Sequence, residues 1–198
     1  MTGRIRSRLA ATFLGVLLLS GCSSNDVATQ YREGSGKNFI AGNGTITEVP
    51  MAERGQTVEF DGISDAGAQL SSTDFDGQPL VVNFWYAGCA PCRKEAPDLQ
   101  TLSEQFEPDG VQFIGVNIRD QVATARAFAE TYGVTYPSII DADGGAALLA
   151  FSGVIAPNAV PTTLVLDAEH RVAARVLGRV TSPSILEALI NTVLSEAP

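Results

Sequence analysis

Cys89 and Cys92, in the run Cys89-Ala90-Pro91-Cys92, are the residues of this chain whose type and spacing best suit chemistry. The run before them, Leu80-Val81-Val82-Asn83-Phe84-Trp85, is mostly apolar and dominated by strand formers, and helix signals follow from Cys89 to about Phe106. A Cys-x-x-Cys pair that ends a buried strand and opens a helix is in the setting that gives such pairs thiol-disulfide chemistry. Unpaired amides at a helix N-terminus favour negative charge, so the thiolate of Cys89 is stabilised while Cys92 lies a turn further in. Cys89 is therefore expected to be the exposed, attacking sulfur and Cys92 the resolving one, the two forming a redox-active disulfide. Pro91 lacks an amide hydrogen, which costs nothing in a first turn.

A purely structural disulfide is a weak alternative, because a three-residue separation closes almost no loop and stabilises little. A zinc site needs about four ligands. The chain has three cysteines and one distant histidine, His170, so neither a metal nor another cofactor is expected. Glu95 stands three residues after Cys92 and six after Cys89, on the same side of the helix. A carboxylate there disfavours a thiolate and can exchange protons with Cys92, which raises thiol pKa values and tends toward a reducing protein. The alternative is a solvated helix glutamate. His170, beside Glu169 in a turn, reads as an exposed turn residue. Trp85 is expected to pack at the strand end and border the substrate surface.

The elements that must hold this pair alternate. Thr57 to Phe60 reads as a strand with Asp61-Gly62 as its turn, and Gln69 to Ser72 as a second short strand. Beyond the central strand and its helix come a strand at Val111 to Ile118 and a helix at Val122 to Tyr132. A short strand at Tyr136 to Ile140 and a short helix at Ala146 to Phe151 follow. Strands at Thr163 to Leu166 and Arg171 to Leu177 make a hairpin across Asp167-Ala168-Glu169-His170. Ser182 and Pro183 start a last helix whose apolar stripe includes Ile185, Leu186, Leu189, Ile190 and Val193. Pro97 is expected to kink the first helix. This order argues for an α/β domain with a mixed sheet.

The N-terminus has the parts of an export signal: Arg4, Arg6 and Arg8, then an apolar run from Ala10 to Leu19. That run is about half of the roughly 20 apolar residues a permanent spanning helix needs. Leu19-Ser20-Gly21-Cys22 resembles the lipobox of bacterial lipoproteins. The resemblance implies a signal peptide over residues 1–21, lipid on Cys22, and a protein anchored to the cell membrane on its extracytoplasmic face. Residues 22–51 read as a flexible tether and N-terminal arm, and 52–198 as the folded domain. Without residues 1–21 the chain has 10 basic and 22 acidic residues, a formal charge of -12. Nucleic acid is thereby not expected as a partner, and membrane attachment must come from lipid.

Phe84-Trp85-Tyr86-Ala87-Gly88-Cys89-Ala90-Pro91-Cys92-Arg93-Lys94-Glu95-Ala96-Pro97 resembles the active-site segment of the TlpA, ResA and DsbE (CcmG) group of thioredoxin-like proteins. Tyr86 and Gly88 depart from that group's pattern, which has Ala and Trp there, and bear on the choice of partner. The resemblance spans roughly residues 57 to 195. It implies a thioredoxin-like fold, a central mixed sheet flanked by helices, with an N-terminal strand extension and a central αβ insertion. It also implies that Glu95 is an active-site residue, and that Pro161, in Val160-Pro161-Thr162-Thr163, is cis and faces the disulfide. The backbone of Val160 is then left to bind an extended peptide. A reductant of exported proteins such as apocytochrome c, recharged by a membrane thiol donor and acting as a monomer, is the leading reading; an oxidant that installs disulfides is the other. The same motif serves both. A peroxiredoxin would have Thr or Ser three residues before its reactive cysteine, and a copper-delivery protein Cys-x-x-x-Cys with a nearby histidine; neither fits.

Overall fold

The computed structural model describes residues 45–156 and 159–196. Cys22, the signal segment and most of the expected tether lie outside them. Six strands form one sheet: β1 (Thr45–Glu48), β4 (Leu80–Trp85), β5 (Gln112–Asn117), β6 (Ser138–Ile140), β7 (Thr162–Leu166) and β8 (Val172–Leu177). Their order is β1-β8-β7-β4-β5-β6. β4, β5 and β6 run parallel, while β7, β8 and β1 are added antiparallel, so the sheet is mixed as expected. A separate two-stranded hairpin, β2 (Asp61–Ile63) and β3 (Gln69–Ser71), bridges onto β6 from Ser64 to Ile139.

β4 is buried at all six positions because it lies inside the sheet with apolar clusters on both faces. Leu80, Val82 and Phe84 join Phe60, Phe151, Leu164, Cys89 and Cys92 in one cluster. Val81 joins the other, with Leu99, Leu102 and Phe106 of helix α1 (Ala90–Phe106) and Leu186, Leu189, Ile190 and Val193 of helix α4 (Pro183–Glu196). Helices α2 (Val122–Tyr132) and α3 (Ala146–Ala150) are the other α-helices among the described residues. The apolar stripe read for the last helix is thus its packing face. The first helix runs on through Pro97.

Three expectations are corrected. Thr57 to Phe60 is not a strand: the Val58 amide bonds the His170 carbonyl and the Phe60 amide the Ser72 hydroxyl, and pairing begins at Asp61, read as a turn. The end of the expected arm is built into the sheet, since Thr45–Glu48 pairs with Leu177–Ala174. Arg54 secures it by reaching Asp167 at 3.0 Å and Glu196 at 2.5 Å. His170 is 3% exposed, not exposed; with φ at 56° its ring turns inward, Nε2 3.1 Å from the Phe75 carbonyl oxygen. Among the described residues no helix is long and apolar enough to cross a membrane.

Candidate active site

Cys89 is the N-cap of α1, in an extended conformation, and is joined to Cys92 by a disulfide. Its sulfur accepts the Cys92 amide at 3.2 Å, so the first turn of the helix closes on the atom expected to carry charge. The expectation of an exposed Cys89 is corrected: it is 0% exposed and Cys92 2%. Both sulfurs turn into the cluster that holds Tyr86, Ile155 and Val160, while Gly88 and Ala90 on either side of Cys89 are exposed.

One turn further along α1 from Cys92 lies Glu95, also wholly buried. Asn83 on β4 donates to its Oε1 at 2.9 Å and the Val180 amide to its Oε2 at 2.9 Å. The second amide hydrogen of Asn83 goes to Thr163 Oγ1 at 3.1 Å, tying the carboxyl to β7. Burial pushes the Glu95 pKa up from 4.5 to about 8; the two hydrogen bonds and the charge of Arg179 oppose it, and Asp98 adds to it. A solvated glutamate is ruled out. Burial, with the Glu95 charge adding, also pushes the Tyr136 phenol upward. A cavity of about 10 Å³ beside Cys92, bordered by Asn83, Trp85, Phe128, Tyr136 and Ser138, has room for one water-sized molecule.

The Val160-Pro161 peptide is cis. β7 starts at the next residue, and Thr162 pairs with Phe84 at the end of β4 that leads to the cysteines. Val160 makes no main-chain hydrogen bond among the described residues. Trp85 is 5% exposed, its ring centre 4.2 Å from that of Phe128 and its Nε1 3.3 Å from Ser138 Oγ. It holds the strand end from within and offers no face to a partner. Gly115 is what permits this: a Cβ there would overlap Ser138 Oγ and come within 2.6 Å of Trp85 Nε1.

Sequence reasoning missed the residues that grip the loop before Cys89. Asp120 accepts the Ala87 amide at 2.6 Å and is itself held by Asn117 at 2.9 Å. Arg119 sits 4.8 Å from the centre of the Tyr86 ring. Gly88 accommodates that ring, since a Cβ on it would lie 3.1 Å from Tyr86 Cε2. The two departures from the motif are therefore coupled: the aromatic side chain stands at 86, over a glycine at 88.

The chain that carries this disulfide at a helix start and this cis proline has known relatives. The AhpC/TSA family model matches residues 54–175. ResA, a thiol-disulfide oxidoreductase of Geobacillus thermodenitrificans, is 30% identical over 145 residues, 73% of this chain and 80% of ResA. The chain belongs to the AhpC/TSA family. Within it, it falls with the thioredoxin-like thiol-disulfide oxidoreductases that include ResA and HelX. HelX, a thiol:disulfide interchange protein of Rhodobacter capsulatus, is 34% identical over 140 residues, 69% of this chain and 75% of HelX. A secreted thiol-disulfide isomerase of Corynebacterium glutamicum superposes with a TM-score of 0.69 at 34% identity, covering 76% of this chain and 92% of that one. A DsbF homologue of Corynebacterium diphtheriae gives 0.67 at 34% identity, covering 76% and 94%. A thioredoxin-like fold is thereby established. Among the described residues no group of three or more His, Cys, Asp or Glu could hold a metal ion.

Proposed function

We propose that the Cys89–Cys92 pair is the redox centre of an extracytoplasmic, membrane-anchored reductant of exported proteins, with lipid on Cys22 as the anchor. Apocytochrome c before haem attachment is the substrate suggested by the resemblance to ResA. In the reduced protein the Cys89 thiolate attacks one sulfur of the substrate disulfide, whose S–S bond breaks to leave a substrate thiolate and a mixed disulfide. Cys92 loses its proton and attacks Cys89 Sγ, releasing the second substrate thiolate. The pair is oxidised by two electrons and the substrate reduced by two. Val160 supports this reading in making no main-chain hydrogen bond among the described residues, which leaves it suited to an extended peptide. A membrane thiol donor would restore the dithiol, and the protein would act as a monomer.

The observation that carries the direction is the setting of the sulfurs. Cys89 receives one amide hydrogen bond and is fully buried, and the buried titratable group one turn on from Cys92 is an acid. Burial disfavours thiolate, and Glu95 adds its repulsion as it ionises toward pH 8, so the reduced form is weakly stabilised and the dithiol gives up its electrons readily. Equilibration with graded glutathione buffers tests this: the expected potential lies nearer roughly -270 mV than the roughly -120 mV of a strong oxidant. A value near the latter overturns the reductant reading. The oxidant reading draws support from Arg93 and Lys94, two exposed cations just after Cys92. Cys92→Ser should trap partners as mixed disulfides through Cys89. Trapping instead by Cys89→Ser through Cys92 would reverse the roles. Cys22→Ser should abolish labelling by radioactive palmitate and release the protein from membranes; retention on membranes would count against the anchor.

A further inference from the structure

The chain holds 22 acidic and 13 basic residues, yet cations collect around the disulfide. Arg93 and Lys94 are exposed in the first turns of α1, directly after Cys92. Arg119 is exposed over the ring of Tyr86, whose carbonyl accepts the Cys89 amide at 3.1 Å. Arg179 precedes Val180, the donor to Glu95, and its charge acts on that carboxyl. The ion pairs among the described residues all use Arg54 or Arg171, at the β7–β8 turn and the end of α4; none uses these four cations. Two carboxylates stand close to these cations in the chain: Asp120 beside Arg119, which accepts from the Ala87 amide and Asn117, and Asp98 one turn after Lys94, whose charge acts on Glu95; against four cations they leave an excess of positive charge. The rim of the disulfide is thus positive on a molecule whose net charge is negative.

We propose that this basic rim selects partners whose reactive cysteine is flanked by acidic residues. The inference rests on the thiol-disulfide reading above. Exposed cations are screened by water and act weakly on buried sulfurs. They attract an approaching anion across a Debye length of about 10 Å at 0.1 M salt, which raises encounter rates. The net charge of the whole molecule would favour basic partners, so the local and global fields give opposite orders.

The test uses two synthetic peptides, each with one cysteine as a mixed disulfide with 2-mercaptoethanol, flanked either by Asp and Glu or by Lys. The reduced protein is mixed with each, and the rate is divided by that of free 2-mercaptoethanol on the same peptide to remove intrinsic reactivity. At about 10 mM salt the acidic peptide should react about tenfold faster, an advantage that vanishes near 0.5 M salt. The triple variant R93Q/K94Q/R119Q should lose the preference at low salt. Equal rates, or a faster lysine peptide, would overturn the basic rim and leave the redox centre standing. Exchange with neither peptide would overturn both.

Discussion

Glu95→Gln separates the charge of the buried carboxyl from its shape. In the folded protein the Glu95 pKa is raised from 4.5 to about 8. Between these values the folded state keeps a proton that the unfolded chain has released, so stability falls as pH rises. Each pH unit across that window costs about 1.4 kcal/mol, and the whole window of the order of 5 kcal/mol. The glutamine side chain of the variant stays neutral, and the penalty disappears. Its own cost is an amide group facing two donors, Asn83 Nδ2 and the Val180 amide, where one is left unsatisfied at about 1–3 kcal/mol. The variant should therefore be less stable than the parent at pH 4.5 and more stable at pH 8.5, the two curves crossing between about pH 5 and 7. Urea unfolding of the oxidised proteins, stepped from pH 4.5 to 9, measures this directly. Parallel curves over the whole range would refute the claim that Glu95 is buried and protonated near neutral pH. In the reduced protein the same substitution should lower the Cys92 thiol pKa, read from the ultraviolet absorbance of the thiolate.

Asn83→Ala removes one of the hydrogen bonds that hold the Glu95 pKa down and frees Thr163. It should cost about 1–3 kcal/mol and push the alkaline end of the Glu95 titration higher, checked by the same pH series. At Asp167, burial pushes the pKa up, but hydrogen bonds from the Arg171 amide and guanidinium and from Arg54 outweigh it and bring it below 3.8. Its stabilisation is present above the unfolded pKa and lost as pH falls through the folded one. Asp167→Asn should therefore lower stability at pH 7 and flatten the acid limb below about pH 4 in thermal melts. Gly88→Trp, which restores the aromatic of the family motif, should displace Tyr86 and cost about 1–3 kcal/mol; Tyr86→Ala in the same protein should recover most of that. Additive losses in the double variant would mean that the two positions are independent.

The central strand, the capped helix and the last helix could be read from sequence because each is set by a local pattern: a continuous apolar run, a cysteine at a helix start, a stripe at helical spacing. The failures share a cause. β-formers at Thr57 to Phe60 suggest a strand, but the Val58 amide bonds His170, far along the chain, and the Phe60 amide bonds Ser72, 12 residues on. β1 carries no hydrophobic signal of its own, and its place is decided by the exposed edge of β8. The inward ring of His170 depends on a carbonyl 95 residues away.

At the site the same contrast holds with more consequence. The cysteines were legible because their chemistry lies in their types and spacing, whereas the cis bond before Pro161 was legible only through the family resemblance. The state of Glu95 was not, since a helix glutamate is solvated unless something covers it, and the residues that satisfy it come from β4 and the loop before α4. One signal was available. Asn83 is the lone amide in an otherwise apolar strand, and a polar side chain buried in that position must find a partner. Partners within reach of such a strand include polar side chains of neighbouring strands and a polar group on the helix that packs across it. Asn83 bonds to both, Thr163 and Glu95. The amide in the strand thus marks the buried carboxyl one turn on from Cys92, and burial, which denies that carboxyl its charge, is what the Glu95→Gln comparison measures.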